Sequence, residues 1–336
     1  MAGVGFTMSL ELQRRVFAGT REGPRVLITA GVHGDEYVPM LAVRELIRRF
    51  EQDRDLRAGL RGTLTLVPVT NESAFKLGRR CGEDGLDLAR TCPGNAAGTV
   101  TEQTAAALST LIQEADFYAD LHTGGTEYCV WPLAGYVLHW DPDILEAQRG
   151  MARAFGLPLV WGTSAALEGR SLSVARDAGV PAIYVEYFGG AVESVGQGET
   201  QWSTVPSHDF LEKAGGEHPM VAGCLNLLRH LGALEGEVLR HEPEVIEDHR
   251  PQSGHMQICH PAPLDGFFQR VVTVGDWVEK GQALGGVSSV LGDRHEKVTA
   301  GNRGRVVTLR WHPRVNAGES VAVVAEDWSS ESDAEA

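Results

Sequence analysis

The sequence lacks any long apolar run. No stretch of its 336 residues approaches the roughly 18 consecutive apolar residues that a membrane-spanning helix needs. The N-terminal segment MAGVGFTMSLELQRRVF also lacks the basic stretch and the apolar core of a signal peptide. These absences predict a cytoplasmic protein with no membrane partner.

Paired cysteines and an excess of positive charge are absent too. The five cysteines are scattered and form no C-x-x-C pair, which is typical of free thiols in a reducing compartment. The chain carries 45 acidic residues against 30 Lys and Arg, a formal net charge of −15. Because sequence-independent nucleic-acid binding depends on Lys and Arg facing phosphates, we expect no nucleic-acid partner.

What the chain does have is an alternation of strand-like and helix-like segments over about 230 residues. Short β-branched runs predict strands at 25–34, 62–71, 116–124 and 181–190. Apolar residues at helical spacing predict helices at 38–53, 101–115, 141–156, 171–180 and 218–232. This order predicts an α/β fold, in which helices cover both faces of a sheet.

The texture of the sequence changes after the charged segment 236–252. From about 253 the chain shows short β runs between glycines, and two of them, VTVGDWVEKGQALG and TAGNRGRVV, resemble the halves of a lipoyl-like barrel-sandwich. Lys297 lacks the Asp-Lys context of a modified lysine, so this module is interpreted as structural. We therefore predict a catalytic domain at 1–248, an all-β module at 249–328 and an acidic tail at 329–336.

Three potential metal ligands lie near the ends of two predicted strands, where α/β sheets bind ligands. His33 and Glu36 are three residues apart and can face one point, and Gly34 is interpreted as relieving crowding between them. His122 ends another strand. Two histidines and one glutamate are a ligand set of zinc hydrolases, which leave one coordination position open.

One carboxylate, Glu186, lies inside an apolar strand. An isolated buried carboxylate is costly unless it is paired or linked to a metal. Its position therefore favours catalysis, in which a base takes a proton from water and returns it to the leaving amine.

Segment 70–94 is predicted to be a long polar loop that contains Arg79, Arg80 and Arg90. Loops of this length are often functional. A planar, permanently charged guanidinium suits a carboxylate substrate or a developing oxyanion.

The motifs GVHGDE, NESAF, DGLDLARTCPG, DLHTGG and VPAIYVEYFGG occur together in this order. Their joint occurrence resembles the succinylglutamate desuccinylase/aspartoacylase family, over roughly residues 20 to 325. The resemblance implies a zinc-carboxypeptidase-like mixed sheet flanked by helices, with the small C-terminal β module. It also implies hydrolysis of a small N-acylated amino acid or amine by a zinc-activated water, with one zinc ion per chain bound by His33, Glu36 and His122.

The same resemblance implies roles for further residues. Glu186 is the general base and acid, Arg80 polarises the scissile carbonyl, and Asp87 orients a zinc-binding histidine. Substrate binding is implied for Arg90, Asn71 and Arg170.

The chain departs from the family pattern at Ala89, where the family usually has asparagine in D-L-N-R. The motifs do not separate desuccinylation, deacetylation of aspartate and deacetylation of an acetylated diaminobutyrate. Two alternatives stay open, a metallocarboxypeptidase acting on peptides and a non-catalytic zinc-holding binding protein. The oligomeric state, including a homo-oligomer, is open as well.

Overall fold

A computed structural model describes residues 10–189, 217–240, 242–249, 253–254, 256 and 259–326. The predicted acidic tail at 329–336 lies outside the described residues. No helix in the described ranges is both long and apolar enough to cross a bilayer.

The described residues form seven α-helices, and five of them occur where the apolar spacing predicted a helix. Thr99 begins α4 through a capping box with Glu102, and Pro142 and Gly156 bracket α5 as helix-start and helix-end residues do. The helices are α1 Tyr37–Gln52, α2 Arg54–Ala58, α3 Glu72–Leu77, α4 Val100–Glu114, α5 Pro142–Phe155, α6 Ser171–Ala178 and α7 Pro219–His230.

The strands of the catalytic region form one mixed sheet. Its path runs β1-β3-β2-β4-β7-β5, with β6 paired to β5 and β8 to β6. These strands are β1 Arg15–Ala18, β2 Arg21–Ala30, β3 Arg61–Val67, β4 Phe117–His122, β5 Tyr128–Val137, β6 Leu159–Thr163, β7 Ala182–Phe188 and β8 Glu244–Glu247.

The parallel part of this sheet fixes where polar side chains can meet. Strands β3, β2, β4 and β7 run parallel, so their carboxyl ends lie at one edge. His122 on β4 pairs in register with Glu186 on β7. Two of the predicted site residues are therefore neighbours by strand pairing alone.

Strands β1, β5, β6 and β8 were not predicted from the sequence. Of these, β5 contains Pro132, which argues against an interior strand because proline cannot donate to the ladder. The pairing of β5 with β7 shifts register between Val130 and Leu133, around this proline. The irregularity lets a buried strand keep its place between two neighbours.

Helices cover both faces of the sheet, as predicted. One core cluster includes Met40 and Leu46 of α1 together with Phe155 of α5. A second cluster includes Leu108 of α4 and Leu172 of α6. The apolar stripe of each helix thus packs on the sheet.

Within the described residues 259–326, every regular element is a strand. Strands β12, β11, β9 and β14 form a separate sheet, whereas β13 pairs with β5 and so extends the central sheet. The predicted domain division at 248 stays a prediction. The strands are β9 Gly266–Arg270, β10 Trp277–Val278, β11 Ala283–Ser288, β12 His295–Thr299, β13 Gly304–Arg310, β14 Arg314–Val315 and β15 Ala322–Glu326.

The prediction of one long loop at 70–94 was wrong in part. The structure contains α3 and a single 3-10 turn at Leu88–Arg90 in this segment. Both are short and each is begun by a side-chain cap, from Asn71 and Asp87 respectively. Both helical segments are too short for a helical period to be recognised in a polar sequence.

Candidate active site

The structure brings His33, Glu36 and His122 together. His33 lies three residues beyond the end of β2, Glu36 directly precedes α1, and His122 is the last residue of β4. Nδ1 of His33 is 2.6 Å from Glu36 Oε1, and Nδ1 of His122 is 3.0 Å from Glu36 Oε2. One ligand atom from each residue lies within 4.8 Å of the others, and all three side chains are buried.

The outer nitrogens of both imidazoles face carboxylates. His33 Nε2 is 3.2 Å from Asp87 Oδ1, and His122 Nε2 is 3.1 Å from Asp120 Oδ2. A carboxylate in this position favours the tautomer that carries its proton on Nε2. Each Nδ1 atom then carries a lone pair that faces an oxygen of Glu36. Because the nitrogen and the carboxylate oxygen are both acceptors, they need a proton or a cation between them.

The electrostatics of the cluster favour a cation. Burial alone would raise the pKa of Glu36, but the charges of His33 and His122 lower it. Burial would lower the pKa of His122, but Asp120 and Glu36 raise it well above its usual value. A cluster that attracts protons this strongly also fits a divalent metal ion, and its nitrogen and oxygen donors are those that zinc prefers.

Asp120 is a site residue that the sequence analysis missed. It is almost fully buried, and it accepts a hydrogen bond from Thr29 Oγ1 at 2.8 Å and another from Ser171 Oγ. Asp120 and His122 are two apart on one strand, so their side chains lie on the same face. That spacing was the signal available in the motif DLH.

Glycine is required at position 34 for a different reason from the one predicted. A Cβ at this position would lie 2.0 Å from the carbonyl carbon of Ala74 and 2.4 Å from the nitrogen of Phe75. Glycine is therefore required because the backbone of α3 packs against the turn that carries His33 and Glu36. Crowding between those two side chains is not the cause.

Glu186 is buried beside the three donors. Burial raises the pKa of its carboxyl to about 8; the charge of His122 opposes this rise, and that of Glu36 adds to it. Its Oε2 has no hydrogen-bond partner among the described residues. A divalent cation at the neighbouring donors would stabilise the carboxylate form and lower this pKa.

Arg80 and Asp87 form an ion pair next to His33. Nε and Nη2 of Arg80 lie 3.1 and 2.9 Å from Asp87 Oδ2, while the other oxygen of Asp87 faces His33. Burial opposes ionisation of Asp87, but His33 and Arg80 lower its pKa. One carboxylate thus orients both a potential ligand and an arginine.

A cavity of about 260 Å³ lies beside the donors. Residues from the last third of the chain, Gly254, Met256 and Thr308, form part of its wall. Its lining includes almost every predicted site residue, namely His33, Glu36, His122, Glu186, Arg80, Arg90 and Arg170.

Asn71 is the predicted substrate-binding residue that does not line the cavity. It is fully buried, and its Oδ1 accepts the N–H of Ala74 at 3.1 Å, which caps α3. Asp87 does not line the cavity either, although it contacts both His33 and Arg80. This cap accounts for Oδ1 of Asn71, whereas its buried Nδ2 has no hydrogen-bond partner among the described residues, and the substrate-binding role stays a prediction.

Arg90 and Arg170 bring two positive charges to one side of the cavity. Burial, followed by the charge of Arg90, lowers the pKa of Arg170 to about 10. Burial also lowers the pKa of Arg90, and the charge of Arg80 adds to the effect. Both groups stay charged near neutral pH, and an anion bound between them would relieve their repulsion.

Comparison with known proteins agrees with this geometry. The family model of the succinylglutamate desuccinylase/aspartoacylase catalytic domain matches residues 22–202. The chain belongs to this family. The stretch that carries His33, Glu36, Asp87, His122 and Glu186 lies inside the match.

Individual relatives in the family extend the similarity over most of the chain. The N-alpha-acetyl-L-2,4-diaminobutyric acid deacetylase of Halomonas elongata is 30% identical over 314 residues, which cover 91% of this chain and 83% of that protein. The succinylglutamate desuccinylase/aspartoacylase structure from Rhodobacter sphaeroides has a TM-score of 0.78 at 26% identity, covering 95% of this chain and 90% of the other.

A product-bound structure of the ectoine utilization protein EutE (DoeB) from Ruegeria pomeroyi also has a TM-score of 0.78, at 26% identity, and covers 94% of this chain and 88% of its own. These relatives show that the chain is an amidohydrolase of a family that acts on N-acyl amino acids. They agree with the predicted enzyme class and disfavour the non-catalytic alternative.

Proposed function

We propose that the protein is a zinc-dependent deacylase of a small N-acylated amino acid. The observation that carries this proposal is the convergence of His33, Glu36 and His122 beside Glu186 in one small cavity. Zinc, when bound by these three residues, would polarise the amide carbonyl and increase the acidity of water.

Glu186 is suited to move the proton. It is buried beside His122, and one of its oxygens has no partner among the described side chains and backbone groups. Its carboxylate would accept the proton of the attacking water and donate it to the departing amine nitrogen. Burial raises the pKa of this carboxyl and a bound cation would lower it, so the carboxylate form that accepts the proton would be favoured once the metal is bound.

Arg80 is suited to stabilise the oxyanion that forms from the carbonyl oxygen. Asp87 contacts its Nε and Nη2 atoms, which fixes the guanidinium plane and leaves Nη1 directed elsewhere. The Arg80 side chain is 42% exposed, as expected for a group at the mouth of a site rather than in the core. Arg90 and Arg170 would bind a carboxylate of the substrate.

The small size of the cavity, about 260 Å³ among the described residues, favours small substrates over peptides. The last third of the chain contributes Gly254, Met256 and Thr308 to its wall. A metallocarboxypeptidase would need an open cleft here. We therefore place the peptidase alternative second.

Hydrolysis of a panel of substrates tests this function. Zinc-loaded protein is incubated with acetyl, succinyl and formyl derivatives of aspartate, glutamate and diaminobutyrate, and the released amine is measured. The diaminobutyrate derivatives are included because the Halomonas elongata relative is named for one of them. We expect release from at least one, whereas release of C-terminal residues from peptides alone would favour a carboxypeptidase.

A further inference from the structure

Among the described residues, four acidic side chains line the cavity, and three of them already have a role there. Glu36 faces the two imidazoles, Asp120 holds His122, and Glu186 is the proposed base. The fourth, Glu127, has no part in the metal cluster or in proton transfer. Its side chain is 48% exposed, so its carboxylate is open to a ligand.

The backbone of Glu127 is fixed by the strand that joins the C-terminal part to the central sheet. Its carbonyl oxygen accepts the N–H groups of Trp311 and His312 at 2.7 and 3.1 Å. The preceding residue, Thr126, is tied through its N–H and hydroxyl to Asp35, at 3.1 and 3.0 Å. Glu127 therefore sits at a fixed place on the wall.

The charge of Glu127 is only partly balanced by its neighbour Arg310. This guanidinium is 1% exposed, and its Nη2 lies 3.5 Å from Glu127 Oε2 but 3.2 Å from Glu319 Oε2. One cation thus faces two carboxylates, and Glu319 is the nearer one. Glu319 does not line the cavity, whereas Glu127 does.

The cavity therefore carries charges of both signs in addition to those of the metal cluster. Arg90 and Arg170 suit a carboxylate, and Glu127 adds a negative charge that a neutral side chain or a second carboxylate would leave unpaired. A ligand that satisfies both has a carboxylate and an ammonium group in addition to its amide bond. N-acylated diamino acids have this composition.

We propose that Glu127 binds an ammonium group of the substrate and so selects N-acyl diamino acids over other N-acyl amino acids. This inference rests on the proposed deacylase function. The guanidinium of Arg310 lies beside Glu127 and donates from Nη1 to Tyr128 Oη at 3.0 Å.

Two substrates that differ only in this charge test the proposal. In α-N-acetyl-norvaline a methyl group replaces the ammonium group of α-N-acetyl-diaminobutyrate, with the rest unchanged. For the wild-type protein we expect kcat/KM to be roughly tenfold higher for the diaminobutyrate derivative, the gain of one charge-assisted contact that is partly screened by solvent. Equal values for the two substrates would overturn the proposal without using any variant.

The variant Glu127→Gln removes the charge and keeps the shape. We expect its KM for α-N-acetyl-diaminobutyrate to rise roughly tenfold and its preference over the norvaline derivative to disappear. Inhibition by free diaminobutyrate should weaken by a similar factor, which gives a readout independent of turnover. Because the side chain is half exposed, the fold should tolerate this change, and circular dichroism checks it.

The matched control is Glu319→Gln, which removes the other carboxylate that faces Arg310. We expect it to keep the wild-type preference between the two substrates. Loss of the preference in both variants, or in neither, would contradict a specific role for Glu127. Failure of the wild-type protein to hydrolyse any N-acyl substrate would instead refute the deacylase function itself, so the two failures are distinguishable.

Discussion

Two groups of residues that line the cavity are built differently. In the first group, His33, His122 and Glu36 are buried, and their nitrogens and oxygens face defined partners within the chain. In the second group, Arg90 and Arg170 are close enough that the charge of Arg90 lowers the pKa of Arg170. The first group is organised before any substrate binds, and the second would be completed by the carboxylate of the proposed substrate.

This difference separates the effects that substitutions should have. Preorganised donors next to a reacting bond lower the barrier of the reaction, so changes there should reduce kcat or metal binding. Groups that meet the rest of the substrate contribute to binding, so changes there should mainly raise KM. The predictions for Glu186, Asp120 and Arg170 below would fail if the two groups were not distinct in this way.

The largest effect is expected for Glu186→Gln. Removing the proposed base should lower kcat by about 10²–10⁴-fold, the usual contribution of general acid–base catalysis, while the protein still binds zinc. Steady-state amine release and metal analysis measure both. Glu247→Gln is the matched control, since Glu247 lies on the same sheet and pairs with Arg149 away from the cavity. A variant at Glu186 with wild-type kcat would refute its role.

Asp120→Asn should weaken zinc binding by about 10–100-fold, because outer partners of ligating histidines typically contribute this much. The amide cannot hold the proton on His122 Nε2 as the carboxylate does, so Nδ1 is less available. Competition with a chromophoric chelator measures the affinity. If Asp120→Asn bound zinc as tightly as the wild type, the hydrogen bonds around His122 would have no influence on the metal.

Arg170→Ala should raise KM for a carboxylate substrate by roughly tenfold, with a smaller change in kcat. The reason is that Arg170 lines the cavity and would meet the carboxylate of the bound substrate rather than its scissile amide. The same substrate with its carboxylate converted to an amide is the control, and its KM should not respond to the substitution. A drop in kcat alone would place Arg170 in the chemical step instead.

Asn71→Ala should act on stability rather than on substrate. Loss of the cap on α3 is expected to cost about 1 kcal/mol of unfolding free energy, measured in urea, with KM unchanged. Asn71→Asp keeps the acceptor and should retain most of the stability. A raised KM in a fully stable Asn71→Ala protein would instead support the substrate-binding role predicted from the sequence.

Much of the fold could be predicted because the helices and the parallel strands are long and periodic. The four predicted strands and five predicted helices all occur, with ends displaced by a few residues. Strands β1, β6 and β8 were not predicted, and with four or five residues each they are too short to show a clear period. Strand β5 was not predicted either, because Pro132 argues against an interior strand and the neighbouring strands fix its place. Helix α3 in segment 70–94 could not be predicted for a different reason, because it has only 6 residues.

The residues of the candidate site also differ in how far they could be predicted from the sequence. His33, Glu36, His122 and Glu186 were predicted because strand ends and short motifs carry them. Asp120 was missed although its spacing from His122 was visible in the motif DLH, and Glu127 was missed because its place on the cavity wall depends on contacts with distant residues. The predicted reason for glycine at position 34 was also wrong, because only the structure shows that the backbone of α3 packs against the turn that carries His33 and Glu36. Zinc binding, a cytoplasmic location and the domain division stay predictions.

The most direct test of the account is the rate of amine release by metal-free protein. Chelation should remove the zinc ion and abolish hydrolysis of the best substrate in the panel, and added zinc should restore the rate as one ion per chain binds. His122→Ala, treated in the same way, should show no restoration at that stoichiometry. Metal-free protein that releases amine as fast as the zinc-loaded protein would contradict the central claim.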